Sequence, residues 1–331
     1  MTKLAVLEVA GLKMYYGVES GVVRAVDGIS FTLKEGQVLG IVGESGCGKS
    51  SLALAIMKLL PSNGKIIEGT IAIAGVELTQ LNDAQIRRKI RWKKIAMVPQ
   101  GAMNSLNPVF RVGDQISEAI QIHTGISKKM ALGQAKTLLE LVGVDSSRAR
   151  YYPHEFSGGM KQRAIIAMSL ALTPSVLIAD EPTTALDVIV QAGIINLLLN
   201  LRKEYKMSII LISHDLALVA QMSDVVAIMY AGKFVERGAS LEVYSNPLHP
   251  YTLGLVGAFA DIRAARERLI SIPGSPPDLL DPPTGCRFNP RCPNASDICR
   301  EKEPELEVAF PGHWVACHFW QEIREQRSKS V

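Results

Sequence analysis

The 331-residue sequence has no long hydrophobic run and little excess charge of either sign. Its longest apolar stretches, such as AIIAMSLAL at 164–172, fall far short of the roughly 20 residues that a membrane-spanning helix needs. The formal net charge is only +4, without long Lys/Arg runs or interleaved aromatics, so a nucleic-acid surface is not indicated. The N-terminal stretch has too short an apolar run for a signal peptide, and Glu8 interrupts it. We therefore expect an intracellular chain that reaches a membrane only through a partner.

Cysteine is also scarce, and four of the five cysteines lie in the tail: Cys286, Cys292, Cys299 and Cys317. Their spacing matches neither the CxxC pairs of zinc ribbons nor the tight spacing of bacterial ferredoxins. Permanent disulfides are disfavoured in a reducing compartment. An iron–sulfur cluster, zinc and free thiols all remain open, and His313 or His318 could replace Cys317 as a ligand. A small tail also gains stability from a metal centre.

Before residue 250 the pattern alternates buried strands with amphipathic helices, which favours an α/β fold with a parallel sheet covered on both faces. The central-strand candidates are QVLGIV (37–42), SVLIAD (175–180) and MSIILISHD (207–215). Two further stretches read as hairpins, with turns at Gly75 and Gly232. Helical signals dominate from about 101 to 165. The proline-rich stretch SIPGSPPDLLDPPTG then leads into the tail, so we predict domains at 1–250 and 251–331.

The stretch GESGCGKS, residues 43–50, follows a strand and opens a helix that we expect Pro61 to close. This context is the one that a phosphate-binding loop requires, and it disfavours a plain glycine-rich turn. Glycines allow backbone amides to face phosphate oxygens, and the helix start adds its dipole. Lys49 is predicted to bridge the β- and γ-phosphates, and Ser50 to bind Mg²⁺.

Two further motifs fit the same chemistry. LIADEP, residues 177–182, ends a buried strand with Asp180, a candidate Mg²⁺ ligand, and Glu181, a candidate general base. HEFSGGMKQR, residues 154–163, begins a helix with Ser157, Gly158 and Gly159, which makes a second anion site. Two phosphate-binding elements that cannot share one nucleotide suggest two nucleotides held between two subunits.

These motifs, with Gln100 after IAMVP, TTALD and ISHD, occur in the order of ABC-transporter ATPase subunits, which the chain resembles. Within that superfamily it is similar to the ATPase subunits of oligopeptide and dipeptide importers. The narrower resemblance rests on NSLNP, YPHEFSGG, ADEPTTALDV, HDLALVA, NPLHPYTLGL and FNPRCPNA, and covers essentially the whole chain. One departure is Gly101 and Ala102, which stand where the family commonly has an acidic residue after the loop glutamine.

The resemblance implies a P-loop NTPase core with an antiparallel β-subdomain, a helical subdomain and a small C-terminal cysteine-containing domain. It implies that Ser157, Gly158 and Gly159 contact the γ-phosphate bound to the opposing subunit, that Asp187 lies at the dimer interface, and that His214 is catalytic. Tyr16 resembles the adenine-stacking aromatic, with Tyr15 as its rival and a core tyrosine as the plain alternative. The implied ATP-binding set is Tyr16, Gly43, Glu44, Ser45, Gly46, Cys47, Gly48, Lys49, Ser50, Ser51 and Gln100. The implied Mg²⁺ ligands are Ser50, Gln100 and Asp180.

The function implied is ATP hydrolysis that powers peptide import, with oligosaccharide or nickel import, or a nucleic-acid-directed ATPase, as alternatives. The implied partners are a second ATPase subunit in a heterodimer, two transmembrane permease subunits and an extracytoplasmic substrate-binding protein, so the chain would lie at the cytoplasmic side of the membrane. The resemblance favours a [4Fe–4S] cluster on the four tail cysteines, with Zn²⁺ as the alternative, and the tail could sense redox state. For Cys47 we favour the need for a small side chain over a redox role.

Overall fold

The computed structural model describes residues 4–260 and 272–328, and the bounds below refer to those ranges. The strands are β1 Ala5–Val18, β2 Gly21–Lys34, β3 Val38–Val42, β4 Gly64–Ile73, β5 Val76–Glu77, β6 Ile95–Val98, β7 Val176–Asp180, β8 Ser208–Ser213, β9 Val225–Tyr230, β10 Lys233–Ala239, β11 Glu307–Phe310 and β12 His313–Val315. The α-helices are α1 Lys49–Met57, α2 Asp83–Lys89, α3 Val112–Thr124, α4 Lys128–Leu141, α5 Gly158–Ser169, α6 Val188–Tyr205, α7 Leu216–Met222, α8 Ser240–Ser245, α9 Pro250–Ala260, α10 Asp297–Glu301 and α11 Trp320–Ser328.

The chain divides into two compact units, which interleave along the sequence. The first unit comprises the described part of residues 1–8, Thr32–Gln37 and Ala72–Ile210. The second comprises Val9–Phe31, Val38–Ile71 and the described part of residues 211–331. The predicted domain boundary at residue 250 stays a prediction.

In the first unit, β6 and β7 pair in parallel, with Ile95 opposite Val176 and Val98 opposite Ala179. β7 is buried along its whole length, as its continuous apolar run predicts. β4 and β5 pair antiparallel around Gly75, whose φ of 76° suits the turn, so the predicted hairpin is confirmed.

The helical stretch of the first unit lies where the sequence predicts it. α3 packs against α4, and both contact α5. Along α4, Ala131, Ala135 and Leu139 recur every four residues and are buried, so one face of the helix supplies the contact. Three short 3₁₀ segments complete the region, at Ala102–Asn104, Ser146–Arg150 and Pro153–Glu155.

In the second unit, the strand order is β11, β12, β10, β9, β3. β3 and β9 are parallel, whereas β9–β10, β10–β12 and β12–β11 are antiparallel. The predicted hairpin around Gly232, with a φ of 83°, is therefore confirmed. The tail strands β11 and β12 extend this same sheet, with Glu236 opposite Val315, which the sequence did not predict.

The helix that opens at the phosphate loop is shorter than predicted. α1 ends at Met57, four residues before Pro61. The next residue, Lys58, has a φ of 47° and lies in the left-handed region, and its N–H donates to the carbonyl of Ala55. A left-handed residue that returns its N–H to the last turn ends a helix without a proline. Across the described ranges, none of the helices has the length and apolar character needed to cross a membrane.

Candidate functional site

The stretch Gly43–Ser50, here called the phosphate loop, connects β3 to α1 in the second unit. Gly48 has a φ of 107°, and a Cβ at that position would lie 2.0 Å from the carbonyl oxygen of Ala25. At Gly43 a Cβ would lie 2.1 Å from the carbonyl oxygen of Met229. Only glycine fits at these two positions, because the neighbouring backbone occupies the space of a side chain.

Lys49, the first residue of α1, is buried, with 6% of its surface exposed. Its Nζ donates to the carbonyl oxygens of Gly43 at 2.7 Å and Glu44 at 2.8 Å. Ser50 follows in the first turn of the helix and is half-buried. The ammonium is therefore held by neutral carbonyls of its own loop, and phosphate oxygens are stronger acceptors for the same donors.

The thiol of Cys47 is buried inside the phosphate loop. Burial raises its pKa, and the nearby Lys49 ammonium opposes that shift without overcoming it. A thiol with a raised pKa is a poor nucleophile and is slow to oxidise. This environment favours the interpretation that the loop needs a small side chain at position 47.

The two adjacent tyrosines have different partners in the second unit. The Tyr15 hydroxyl donates to Asp27 Oδ1 at 2.7 Å, and burial together with this bond raises the pKa of Tyr15 to about 12. The Tyr16 hydroxyl donates to Ser51 Oγ at 3.2 Å, in the first turn of α1. Tyr16 is thus the tyrosine that contacts the helix of the phosphate loop, while Tyr15 is engaged elsewhere.

The predicted acidic pair lies at the end of β7 in the first unit. Asp180 is the last residue of the strand and is buried, whereas Glu181 is half-buried and has a φ of 48°. Glu181 Oε2 accepts from Gln100 Nε2 at 3.2 Å and from Thr184 Oγ1 at 3.0 Å. A left-handed conformation at a non-glycine residue is strained, and such strain persists where surrounding contacts enforce it, often at functional sites.

The start of α5 carries Ser157, Gly158 and Gly159, the residues expected to contact a γ-phosphate bound to an opposing subunit. Ser157 caps the helix, since its Oγ accepts from the Met160 N–H at 3.3 Å, and both Ser157 and Gly158 are exposed. A Cβ at Gly159 would lie 2.7 Å from a methyl group of Val190. Asp187 caps the neighbouring helix α6 by accepting from the Val190 N–H at 2.9 Å. The structure thus brings Ser157–Gly159 and Asp187 together at two adjacent helix starts.

His214 belongs to the second unit and follows directly after β8. Its side chain is exposed, and the next residue, Asp215, caps α7 by accepting from the Leu218 N–H at 3.1 Å. The site residues therefore fall on both units: Tyr16, the phosphate loop and His214 on the second, and Gln100, Ser157–Gly159, Asp180, Glu181 and Asp187 on the first.

Gly101, the first residue of the departure noted after Gln100, has a φ of 67° and immediately precedes the 3₁₀ segment Ala102–Asn104. Ala102 is buried, so an acidic side chain would be disfavoured there in this chain. The sulfur of Met103, the next residue, would lie 3.1 Å from a Cβ at Gly158. The segment after Gln100 therefore packs onto the start of α5.

The four tail cysteines all line one cavity of about 20 Å³, and His318 lines it with them. Burial raises the pKa of Cys286 to about 11 and that of Cys317 to about 12. His313 lies elsewhere, with its Nε2 2.8 Å from Glu236 Oε1, so it is not placed to replace Cys317. Over residues 4–260 and 272–328 no group of three or more His, Cys, Asp or Glu side chains has an arrangement that could hold a metal ion.

Sequence reasoning missed two residues that touch the phosphate loop from the C-terminal part of the chain. Arg291 forms an ion pair with Glu44, and the Tyr251 hydroxyl accepts from the Glu44 N–H at 2.9 Å. Both lie in stretches that supported the resemblance, FNPRCPNA and NPLHPYTLGL. No local pattern marked either residue, because Glu44 lies 207 positions from Tyr251 and 247 positions from Arg291 in the sequence.

A phosphate loop between a buried strand and a helix, together with an acidic pair at the end of another strand, defines a P-loop ATPase, a protein that hydrolyses ATP. Two family models match the chain: "ABC transporter" over residues 26–184, and "Oligopeptide/dipeptide transporter, C-terminal region" over residues 235–299. The chain belongs to the family of ABC transporter ATP-binding proteins.

Curated relatives match over nearly the full length. The dipeptide transport ATP-binding protein DppD of Escherichia coli is 46% identical over 318 residues, covering 96% of this chain and 97% of that protein. The oligopeptide transport ATP-binding protein OppD of Salmonella typhimurium is 46% identical, covering 94% and 92%. DppD of Bacillus subtilis is 44% identical, covering 98% and 96%.

Solved structures of ATP-binding cassettes share the fold. A dimeric post-hydrolysis state of the cassette MJ0796 bound to ADP and Pi has a TM-score of 0.64 and 25% identity, covering 71% of this chain and 98% of that one. The cassette cbiO1 of Clostridium perfringens, part of the ABC transporter complex cbiONQ, has a TM-score of 0.64 and 27% identity, covering 78% and 96%. The predicted fold class is therefore confirmed.

Proposed function

We propose that this chain is the ATPase subunit that powers import of dipeptides or oligopeptides through an ABC transporter. The observation that carries the proposal is the 46% identity to a dipeptide transport ATP-binding protein across 96% of the chain. The match includes the region after the ATPase core, where a family model for oligopeptide/dipeptide transporters fits residues 235–299. Peptide is thus favoured over oligosaccharide or nickel as the cargo, and over a nucleic-acid substrate.

The proposed ATP chemistry uses the phosphate loop and His214 from the second unit, and Gln100 and Glu181 from the first. Lys49 would move its donors from loop carbonyls to the β- and γ-phosphates, and the loop amides would bind the remaining oxygens. Glu181 would take a proton from the attacking water as general base. Gln100 supports this assignment because its amide already holds the Glu181 carboxylate. His214 would contact the γ-phosphate side of the nucleotide from the end of β8.

Mg²⁺ would be held by the Ser50 hydroxyl, the Gln100 side-chain oxygen and the Asp180 carboxylate. All three groups are hard oxygen donors, which is the set that Mg²⁺ prefers. The ion would neutralise charge on the β- and γ-phosphate oxygens when ATP is bound. Asp180, at 1% exposure, is a buried carboxylate at the end of a strand, a suitable place for a fixed ligand.

A second ATPase subunit is part of the proposal. Ser157 and Gly158 are exposed at a helix start, where their orphan N–H groups are available to a phosphate on another chain. Beside them, Val188 is 79% and Ile189 is 85% exposed, next to Asp187. Exposed aliphatic side chains beside an anion site support burial against a partner. We propose a heterodimer with a related ATPase.

The remaining partners are two transmembrane permease subunits and an extracytoplasmic substrate-binding protein. The chain would act as a peripheral subunit on the cytoplasmic side of the membrane. This placement rests on the transport function of its relatives.

We further propose that Cys286, Cys292, Cys299 and Cys317 hold a [4Fe–4S] cluster, with Zn²⁺ as the alternative. The support is that all four thiols line one cavity. Four cysteine thiolates are a suitable donor set for either centre. A cavity of about 20 Å³ has room for roughly one water-sized group, and the described thiols do not stand in a metal-binding arrangement. Either centre therefore requires the thiols to move, and a cluster requires them to move apart. Iron and acid-labile sulfide measured on anaerobically purified protein test the cluster, and stoichiometric zinc without iron would contradict it.

The import function is tested by co-expressing the chain with candidate permease and ATPase subunits from the same source and reconstituting the complex in vesicles. We expect ATP hydrolysis to rise when the binding protein is loaded with a dipeptide or an oligopeptide. Nickel and an oligosaccharide serve as alternative cargoes in the same vesicles. Stimulation by one of these, with no response to peptides, would contradict the proposed cargo while leaving the ATPase role intact.

A further inference from the structure

Glu44, the second residue of the phosphate loop, is held from three directions. Its N–H donates to the Tyr251 hydroxyl at 2.9 Å, and its carbonyl oxygen accepts from Lys49 Nζ at 2.8 Å. Its carboxylate is bound by Arg291. Two of these three partners, Tyr251 and Arg291, come from the C-terminal part of the chain, so residues outside the loop help to hold it in place.

The contact between Arg291 and Glu44 is bidentate. Arg291 Nη1 donates to Glu44 Oε2 at 2.6 Å, and Nη2 donates to Oε1 at 3.0 Å. The Arg291 side chain is 6% exposed and that of Glu44 is 26% exposed. A two-point bond of this kind fixes the plane of the carboxylate as well as its position, and partial burial limits screening by solvent.

The guanidinium is itself fixed by other groups of the second unit. Nε donates to the Pro273 carbonyl at 2.8 Å, Nη1 to the Tyr230 hydroxyl at 3.3 Å and Nη2 to the Gly274 carbonyl at 3.3 Å. With Glu44, all five N–H donors of the side chain have acceptors. Arg291 is therefore a rigid anchor, and a lysine has too few donors and the wrong geometry to replace it.

We propose that Arg291 is a positioning residue for nucleotide binding: it holds the Glu44 carboxylate and thereby keeps the phosphate loop in the form that accepts phosphate, without touching ATP itself. The inference rests on the proposed role of Gly43–Ser50 as the phosphate-binding element. The proposed role of Arg291 affects the affinity for ATP, since neither Arg291 nor Glu44 takes part in the chemical step.

The physical reason is the glycine content of the loop. Gly43, Gly46 and Gly48 leave its backbone with little intrinsic preference for one conformation. A loop that must be ordered when ATP binds loses affinity by the free energy of that ordering, whereas a loop already ordered does not. The contacts to Glu44 order part of the loop when the second unit folds, so that less ordering remains to be done when ATP binds.

The test measures the Kd of the full-length protein for Mg-ATP by calorimetry, together with its urea unfolding curve. The variants are Arg291→Lys, Glu44→Gln and the double variant. Arg327→Ala is the matched control, because Arg327 also donates to backbone carbonyls, those of Pro247 and Ser245, and makes no contact with the phosphate loop. Glu44→Gln keeps the side-chain shape at a partly exposed position, so this variant can decide the test by itself if Arg291→Lys fails to fold.

We expect each single variant to raise the Kd by roughly five-fold or more, as loss of a charge-assisted hydrogen bond allows. The Kd of the double variant is expected not to exceed the higher of the two single-variant Kd values, because both changes break the same contact. The control is expected to bind as the unchanged protein does. The inference would be overturned if folded single variants had unchanged Kd values. It would also be overturned if the fold-increase in the Kd of the double variant equalled the product of the two single-variant increases.

Lys49→Ala, measured in parallel, separates this inference from the proposed function. If Lys49→Ala abolishes ATP binding while Arg291→Lys and Glu44→Gln bind normally, the phosphate loop is assigned correctly and the role of Arg291 is wrong. If Lys49→Ala binds ATP normally, the loop is not the nucleotide site and both proposals fall.

Discussion

Gln100 Nε2 donates to Glu181 Oε2 at 3.2 Å, which links the residues that follow two parallel strands. Gln100 lies two residues after β6, and Glu181 lies one residue after β7. Glu181 Oε2 also accepts from Thr184 Oγ1 at 3.0 Å, so two side-chain hydrogen bonds hold the carboxylate. The arrangement suits a base that must meet a water in a defined position.

Glu181→Gln is expected to keep ATP binding and to lower turnover about 100-fold or more, the usual effect of losing a general base. The substitution preserves the side-chain shape, so folding is expected to be little affected. Steady-state ATPase assays and ATP-binding titrations check this. Glu118→Gln, at an exposed position on α3, is the control and should hydrolyse ATP normally. Substantial turnover by Glu181→Gln would remove the assignment of the base.

Two glycines of the phosphate loop are expected to differ in their tolerance to alanine. A Cβ at Gly48 would lie 2.0 Å from the Ala25 carbonyl oxygen, whereas a Cβ at Gly46 would meet nothing within 4 Å. Both have positive φ, so each substitution carries backbone strain of about 1–3 kcal/mol. Gly48→Ala should therefore destabilise the protein more and weaken ATP binding more than Gly46→Ala. Equal effects in urea unfolding and ATP titration would argue against this loop geometry.

Glu236 is a buried carboxylate that ties the tail to the rest of the second unit. Its oxygens lie 2.8 Å from His313 Nε2 and accept from the N–H groups of Leu248 at 2.8 Å and His249 at 2.9 Å. Glu236→Gln places an amide NH₂ against one of these donors, at an expected cost of about 1–3 kcal/mol. Urea unfolding measures the loss, with exposed Glu301→Gln as the control. A change below about 0.5 kcal/mol would contradict the role of Glu236.

Asp27 provides a prediction about pH. Burial by itself raises the pKa of Asp27, but the hydrogen bond from Tyr15 and the charges of Lys233 and Arg287 outweigh burial, so the pKa is lowered overall. A carboxyl with a lowered folded-state pKa adds stability that is present above its unfolded pKa of about 3.9 and is lost as pH falls through the folded-state value.

Asp27→Asn should accordingly destabilise the protein by about 3–5 kcal/mol at pH 7, because it removes the carboxylate that pairs with the buried Arg287 and leaves that charge uncompensated. Urea unfolding of both proteins, repeated at decreasing pH, should show this difference narrowing once the pH falls below about 4. A difference that stays constant down to the lowest pH at which both proteins fold would contradict the ion pair.

Local pattern was sufficient for the elements that carry the chemistry. The continuous apolar runs before Gly43 and Asp180 predicted β3 and β7, because strands buried on both faces cannot alternate polar and apolar residues. A glycine between two strand-like stretches predicted each of the turns at Gly75 and Gly232. The end of α1 was predicted too late, because a left-handed Lys58 gives no signal comparable to a proline.

The sequence by itself thus determined the class of protein and its ATP motifs, since both depend on residue types at short, fixed spacings. It also showed four thiols in the tail, although their spacing matched no known metal motif. Only the tertiary structure decided that β12 pairs with β10, that Gln100 meets Glu181, and that Arg291 binds Glu44. These contacts join residues about 80 to 250 positions apart, and no local periodicity records them. The tail, which by sequence looked separable, therefore provides an edge of the sheet and a grip on the phosphate loop.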